Sequence, residues 1–211
     1  MKVLNLYAGI GGNRKLWEGV EVTAVEWDKA TAEVYADYFP NDTVIVGDAH
    51  QYLLDNYKEF DFIWSSPPCP THSDIRRMAV KQGQYDALFP DMTLYQEILL
   101  LKHFTDKAQY WVVENVIPYY EPLIKPTKKI HRHIFWSNFK IGNQVKLQGR
   151  KNHQSICGNS HVYGISLNGT GIKDKRKALR NMVDPQLGLH ILNRARNIKE
   201  SEATEQGFLF V

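Results

Sequence analysis

An α/β sheet with right-handed crossovers and helices on both faces is the fold that this chain of 211 residues predicts. Three observations carry that prediction. Apolar runs of strand length alternate with stretches of helical periodicity through the amino-terminal half, which is how βα units read in sequence. A glycine turn, Gly9-Ile10-Gly11-Gly12, directly follows the first run. The acidic Glu26 closes the second run about 20 residues later, as in folds that cradle an adenosine-containing ligand.

The elements follow in order. Lys2 to Tyr7 reads as the first strand and Arg14 to Glu18 as the start of a helix. Val20 to Trp27 is the second strand, Lys29 to Phe39 a helix closed by Pro40, Val44 to Val46 a short strand, and Gln51 to Tyr57 another helix. Phe60 to Trp64 is the fourth strand. Asp91 to Phe104 carries Leu94, Ile98 and Leu101 at helical spacing, and Tyr110 to Val113 supplies a fifth strand before Glu114-Asn115-Val116. Residues 142–175, rich in Gly, Asn, Ser and Lys, break the rhythm and read as loops or a small excursion. Arg176 to Lys199 reads as a terminal helical region. The expected organisation is a core over 1–141, the excursion over 142–175, and a segment over 176–211 that returns to the core.

Composition narrows the class. With 43% apolar and 23% charged residues the chain suits one globular domain with at most a small appendage. Two cysteines give no disulfide framework, and neither a signal pattern nor a long apolar span is present, so no membrane role and a cytoplasmic location are expected. The net charge is +3, with basic clusters at Lys125 to His133, Lys146 to His153 and Lys173 to Arg180. Such clusters suit phosphate contacts or a solvated surface.

Cys69 is the most informative residue. It stands in Ser65-Ser66-Pro67-Pro68-Cys69-Pro70 at the end of an apolar strand, where stiff prolines hold a thiol at the carboxyl edge of the sheet. It reads as a positioned nucleophile or as a small buried hydrophobe. Gly9, Gly11 and Gly12 allow close backbone approach to a ligand, Glu26 suits ribose hydroxyls, and Trp27 offers a face to adenine. Arg14 stands where a third glycine of the dinucleotide fingerprint is expected, which disfavours a pyrophosphate. Asp48 either accepts from an adenine amino group or caps the next helix.

Leu4-Asn5-Leu6-Tyr7-Ala8-Gly9-Ile10-Gly11-Gly12, Glu26-Trp27-Asp28, Pro67-Pro68-Cys69, Glu114-Asn115-Val116 and Asn181-Met182-Val183-Asp184-Pro185-Gln186-Leu187, in that order, resemble the motifs of the DNA (cytosine-5)-methyltransferase family. The resemblance spans roughly 1–139 and 176–193. It implies a class I, Rossmann-like sheet that binds S-adenosyl-L-methionine through Tyr7, Ala8, Gly9, Gly11, Gly12, Glu26, Trp27, Asp48, Pro68, Asn181 and Val183. It also implies cytosine C5 methylation of DNA through a covalent bond from Cys69 to C6 of a flipped base, in a compact enzyme of phage or bacterial modification systems. Glu114 is then the acid that relieves charge at N3, and Arg132 the cationic donor toward O2. Methylation of cytosine in RNA, or binding without turnover, are the alternatives.

The long segment from Thr71 to Asp91 reads as a mobile loop able to close over the base, with Arg76, Arg77 and Lys81 as phosphate contacts. Lys146, Arg150 and Lys151 are the candidates for reading the target within a much reduced recognition region. Pro70 stands where the family usually has Gln, and the usual Q-x-R-x-R block is represented only by Lys128-Lys129-Ile130-His131-Arg132-His133. Cys157 with His153 and His161 lacks a second nearby cysteine, so no metal is expected.

Overall fold

The computed structural model describes residues 1–142 and 164–196. Among them a seven-stranded sheet runs in the order β3-β2-β1-β4-β5-β7-β6. Its strands are β1 Lys2–Leu6, β2 Glu21–Glu26, β3 Thr43–Val46, β4 Phe62–Ser65, β5 Tyr110–Val116, β6 Lys128–Ile130 and β7 His133–Ser137. The helices are α1 Lys29–Tyr38, α2 Ala49–Asn56, α3 Asp74–Lys81, α4 Thr93–Phe104, α5 Lys175–Asn181 and α6 Pro185–Ala195. The first five strands are parallel, whereas β7 runs antiparallel to both β5 and β6. The chain turns outward from β1 in both directions, to β2 on one side and β4 on the other. A crevice at the carboxyl ends of β1 and β4 is the binding position that such a switch point creates.

Alternation along each strand divides the core into two layers. Leu4, Leu6, Ile63 and Val113 face Leu53 of α2 and Leu94, Ile98 and Leu101 of α4. Val3, Val22, Phe62, Trp64 and Val112 face Leu187, Ile191 and Leu192 of α6. Every residue of β4 is buried, as a central strand covered on both faces must be. Helix starts are fixed by side-chain caps: Asp28 accepts from Thr31 N at 2.9 Å, and Asp184 accepts from Gln186 N at 2.8 Å beside Pro185 in the first turn.

Four sequence expectations change. No helix forms at Arg14 to Glu18, because its residues are engaged elsewhere. The Arg14 guanidinium grips Asp42 at 2.7 and 2.8 Å, the Asn13 amide bonds Asn5 at 2.8 Å, and α6 covers the sheet face that such a helix would shield. The span 71–91 contains α3, whose cap Ser73 accepts from Arg76 N at 3.2 Å, so it is not wholly a loop. The terminal helical region is two helices, since Pro185 cannot continue α5. Glu114-Asn115-Val116 belong to β5 itself, extended by pairing with β7; neither β6 nor β7 has an alternation long enough to stand out in the sequence.

Candidate active site

The β4–β5 register pairs Ser65 with Val113, so Ser66 and Glu114 are the next residues along at the carboxyl edge of the sheet. Two bonds tie the proline loop to that edge. Asn115 Nδ2 donates to the Pro67 carbonyl at 3.0 Å, and Trp64 Nε1 donates to Ser66 Oγ at 2.8 Å. Asn115 Oδ1 in turn accepts from Val116 N at 2.9 Å, which fixes the amide's orientation. Beyond the loop, the N–H groups of His72 and Ser73 donate to the Cys69 carbonyl at 3.0 and 3.1 Å and turn the chain into α3. Cys69 thus sits, half-buried, in a loop braced from both ends.

Electrostatics link the thiol to its neighbours. Burial pushes the Cys69 thiol up and the Glu114 charge pushes it further, while the Arg132 and Lys177 cations oppose the rise. Glu114 is buried, which raises its carboxyl, but its interaction with His133, the Ser66 hydrogen bond and the Arg132 charge outweigh burial and hold it below the ordinary carboxylate range. At rest, the surroundings of Glu114 favour its ionised form over its acid form.

Arg132 is engaged within the protein on two sides. Its Nε donates to His133 Nε2 at 3.0 Å and its Nη2 donates to the Arg180 carbonyl at 2.7 Å. The direct partner of the Glu114 carboxylate is His133, through Nδ1 to Oε1. Sequence reasoning missed His133, although a strand over His133-Ile134-Phe135-Trp136 set against Glu114-Asn115-Val116 brings exactly one side chain of that basic block across.

The candidate cofactor residues gather at the same sheet edge, after β1, β2 and β3. Gly9 has φ of +56° and an added Cβ there would meet open space, so its backbone is free for a ligand to approach. Gly11 and Gly12 serve packing: a Cβ would meet the Phe39 ring at 2.2 Å in the first case and the Val183 carbonyl at 2.6 Å in the second. Glu26 accepts from Gly9 N at 2.9 Å and Asp28 N at 3.0 Å, and Trp27 is 75% exposed. Asp48 caps α2, accepting from His50 N and Gln51 N at 2.9 and 3.2 Å. Tyr7, at a φ of +55°, donates to Glu97 Oε1 at 2.6 Å, and Ala8 N donates to the Val25 carbonyl at 3.1 Å. Val183 is buried behind Gly12, while Asn181 and Pro68 are exposed. An open glycine backbone, a carboxylate and an unburied indole at adjacent strand ends fit an adenosine-bearing methyl donor.

Glu97 is a second residue the sequence did not single out. Fully buried on α4, it takes hydrogen bonds from Tyr7, from Ser65 Oγ at 2.5 Å and from His50 Nδ1 at 3.0 Å. It joins the ends of β1 and β4 to the start of α2, beneath the crevice.

Arg76 lies over the Tyr85 ring at 5.1 Å, and Arg77 pairs with Asp74 at 2.6 Å and lies over Tyr119 at 5.7 Å. Lys81 is exposed at the end of α3. Lys146, Arg150, Lys151, His153, Cys157 and His161 lie outside the described residues. Among the described residues no group of His, Cys, Asp or Glu could hold a metal ion, and no helix is long and apolar enough to cross a membrane.

The family model for C-5 cytosine-specific DNA methylases matches residues 1–156. The chain belongs to this family. The C-5 cytosine methylase family uses S-adenosylmethionine, and membership assigns the chain methyl transfer to cytosine C5. Among solved structures, the methyltransferase EhMeth of Entamoeba histolytica aligns with a TM-score of 0.56 at 10% identity, covering 93% of this chain and 98% of that one, which supports a methyltransferase fold. The Dnmt2 methyltransferase of S. pombe aligns with a TM-score of 0.41 at 18% identity, covering 55% of this C-5 cytosine methylase and 34% of that chain. No curated protein matches the sequence.

Proposed function

We propose that this C-5 cytosine methylase acts on DNA and proceeds through a transient bond between Cys69 and C6 of a cytosine turned out of the helix. The observation that carries the reading is the brace from Asn115 to Pro67, which couples the thiol loop to the strand bearing Glu114 at the edge where Gly9, Glu26 and Trp27 also end. Cytosine C5 is a weak nucleophile until a thiolate adds to C6, so a sulfur and a polar group against the ring are both required. Neither ring face is reachable within a stacked duplex, hence the flipped base.

S-adenosylmethionine supplies the methyl group when bound. Glu26 and Trp27 would hold its ribose and adenine, Asp48 its amino group, and the Tyr7-to-Gly9 backbone its amino-acid portion, with Gly11, Gly12, Pro68, Asn181 and Val183 framing them. Cys69 loses its proton to water, forms the bond to C6 as its thiolate, and recovers its electron pair when water takes the C5 proton and the adduct collapses. Glu114, ionised at rest, accepts from the exocyclic amine of cytosine, and it must take up a proton before it can donate to N3 as negative charge builds there. Arg76, Arg77 and Lys81, with Lys146, Arg150 and Lys151, are the proposed contacts to nucleic acid.

Duplex DNA containing 5-fluorocytosine, incubated with protein and methyl donor, should form an adduct stable to denaturing electrophoresis that is lost in Cys69→Ser. Radiolabelled methyl entering RNA but not DNA would reject the substrate assignment. Transfer to DNA without any trapped adduct would reject the covalent step.

A further inference from the structure

The guanidinium of Arg132 and the carboxylate of Glu114 meet the two nitrogens of one buried imidazole, and this fixes where its proton is. A guanidinium only donates, so Arg132 Nε facing His133 Nε2 at 3.0 Å requires a lone pair on Nε2. An imidazole with Nε2 bare carries its hydrogen on Nδ1, and Nδ1 faces Glu114 Oε1. The ring is held in this orientation by Phe135, stacked with centroids 6.3 Å apart and planes inclined by 24°. Arg132 is itself anchored through the Arg180 carbonyl at 2.7 Å, at the end of α5.

We infer that His133 is the positioning residue for Glu114, locked as its Nδ1–H tautomer by Arg132, and that Arg132 serves the reaction through His133 rather than by contact with the base. Arg132 donates both ways, to the Arg180 carbonyl and to His133 Nε2, and His133 Nδ1–H passes the donor direction on to the carboxylate. His133 holds Glu114 Oε1, and the Ser66 hydrogen bond is a second restraint on the same carboxylate. The inference rests on the proposed reaction at Cys69 and deepens it by naming what orients the group opposite the sulfur. Protonating His133 would set two donors against each other at Nε2 and break the link to Arg132. The charged groups that face the ring are Arg132, beside it in sequence, and Glu114 from β5; both also act on Cys69, which senses Lys177 of α5 as well.

Two measurements decide it. In the intact protein with 15N-labelled histidine, the His133 ring, assigned by its loss in His133→Asn, should show a protonated Nδ1 and a bare Nε2 at pH 7.5. An Nε2–H tautomer or an imidazolium at that pH overturns the inference whether or not methyl transfer occurs. In steady-state transfer to DNA, His133→Leu should lower kcat about 100-fold, the size of effect a misplaced group produces, with methyl-donor binding intact by calorimetry. His133→Asn, whose amide can reproduce the Nδ1 donor, should recover much of that loss, and Arg132→Ala should narrow the pH profile on its acid side. Equal activity of the Leu variant and wild type, or equal failure of Leu and Asn with both folded, overturns it. A wild-type protein that transfers no methyl group while showing the expected tautomer would instead reject the reaction assigned to Cys69.

Discussion

Cys69 and Glu114 act on each other's ionisation, and the sign of that coupling can be read without substrate. Burial first and the Glu114 charge second raise the thiol. In a Cys157→Ser background, which leaves one cysteine of the two to report, alkylation by iodoacetamide should titrate above the range of a free thiol. Glu114→Gln should shift the curve toward lower pH, and burial should keep it from reaching the free value. An unshifted curve would mean the two groups are too far apart to share a substrate. Gly9 offers a second test at this scale. Alanine there meets no atom but must adopt a left-handed backbone, a strain of about 1–2 kcal/mol. Gly9→Ala should fold with a modestly lower Tm and lose affinity for the methyl donor by calorimetry; unchanged affinity would remove Gly9 from the cofactor site.

At the scale of elements, α6 replaces the helix that the sequence promised after the glycine turn. Its Gly188 sits so close to Asn13 that an added Cβ would fall 2.1 Å from the Asn13 carbonyl oxygen and 2.7 Å from its Cα. Glycine to alanine inside a helix usually gains about 1 kcal/mol, but overpacking against backbone costs about 1–3 kcal/mol. Gly188→Ala should therefore lower the urea midpoint, and a raised midpoint would show that α6 does not bear on the turn. The same contact explains what the sequence hid. Strands β1 to β5 were legible because each is an apolar run bounded by breakers, and the Cys69 loop and glycine turn were legible because proline and glycine mark backbone geometry directly. The Arg14 segment was misread because its partners, Asp42 and α6, are distant in sequence. Helix α3 buries no residue and so leaves no apolar stripe of the usual depth. His133 escaped because its role depends on antiparallel register with β5, whereas Arg132, one position earlier, carries the more conspicuous charge.

Across the whole molecule, the crevice at the switch point has a histidine–carboxylate pair on each flank: His50 with Glu97 toward the cofactor strands, and His133 with Glu114 toward β5 and β7. These pairs make stability depend on pH from opposite sides. The hydrogen bond that His50 donates to Glu97 raises the imidazole against the opposing effect of burial, so its contribution is complete below the unfolded histidine value and fades as pH rises through the folded one. Glu114 is lowered, so its contribution is complete above the unfolded carboxylate value and fades as pH falls through the folded one. Both are complete between about pH 4.3 and 6.5, the ordinary glutamate and histidine values. Thermal unfolding followed by circular dichroism should thus give a Tm that declines on both sides of that window. His50→Gln should flatten the alkaline decline up to pH 8 and leave the acid side intact, while Glu114→Gln should flatten the acid side alone. If either substitution flattened both limbs, the two flanks would be one cooperative titrating unit rather than two pairs joined only through the sheet between them.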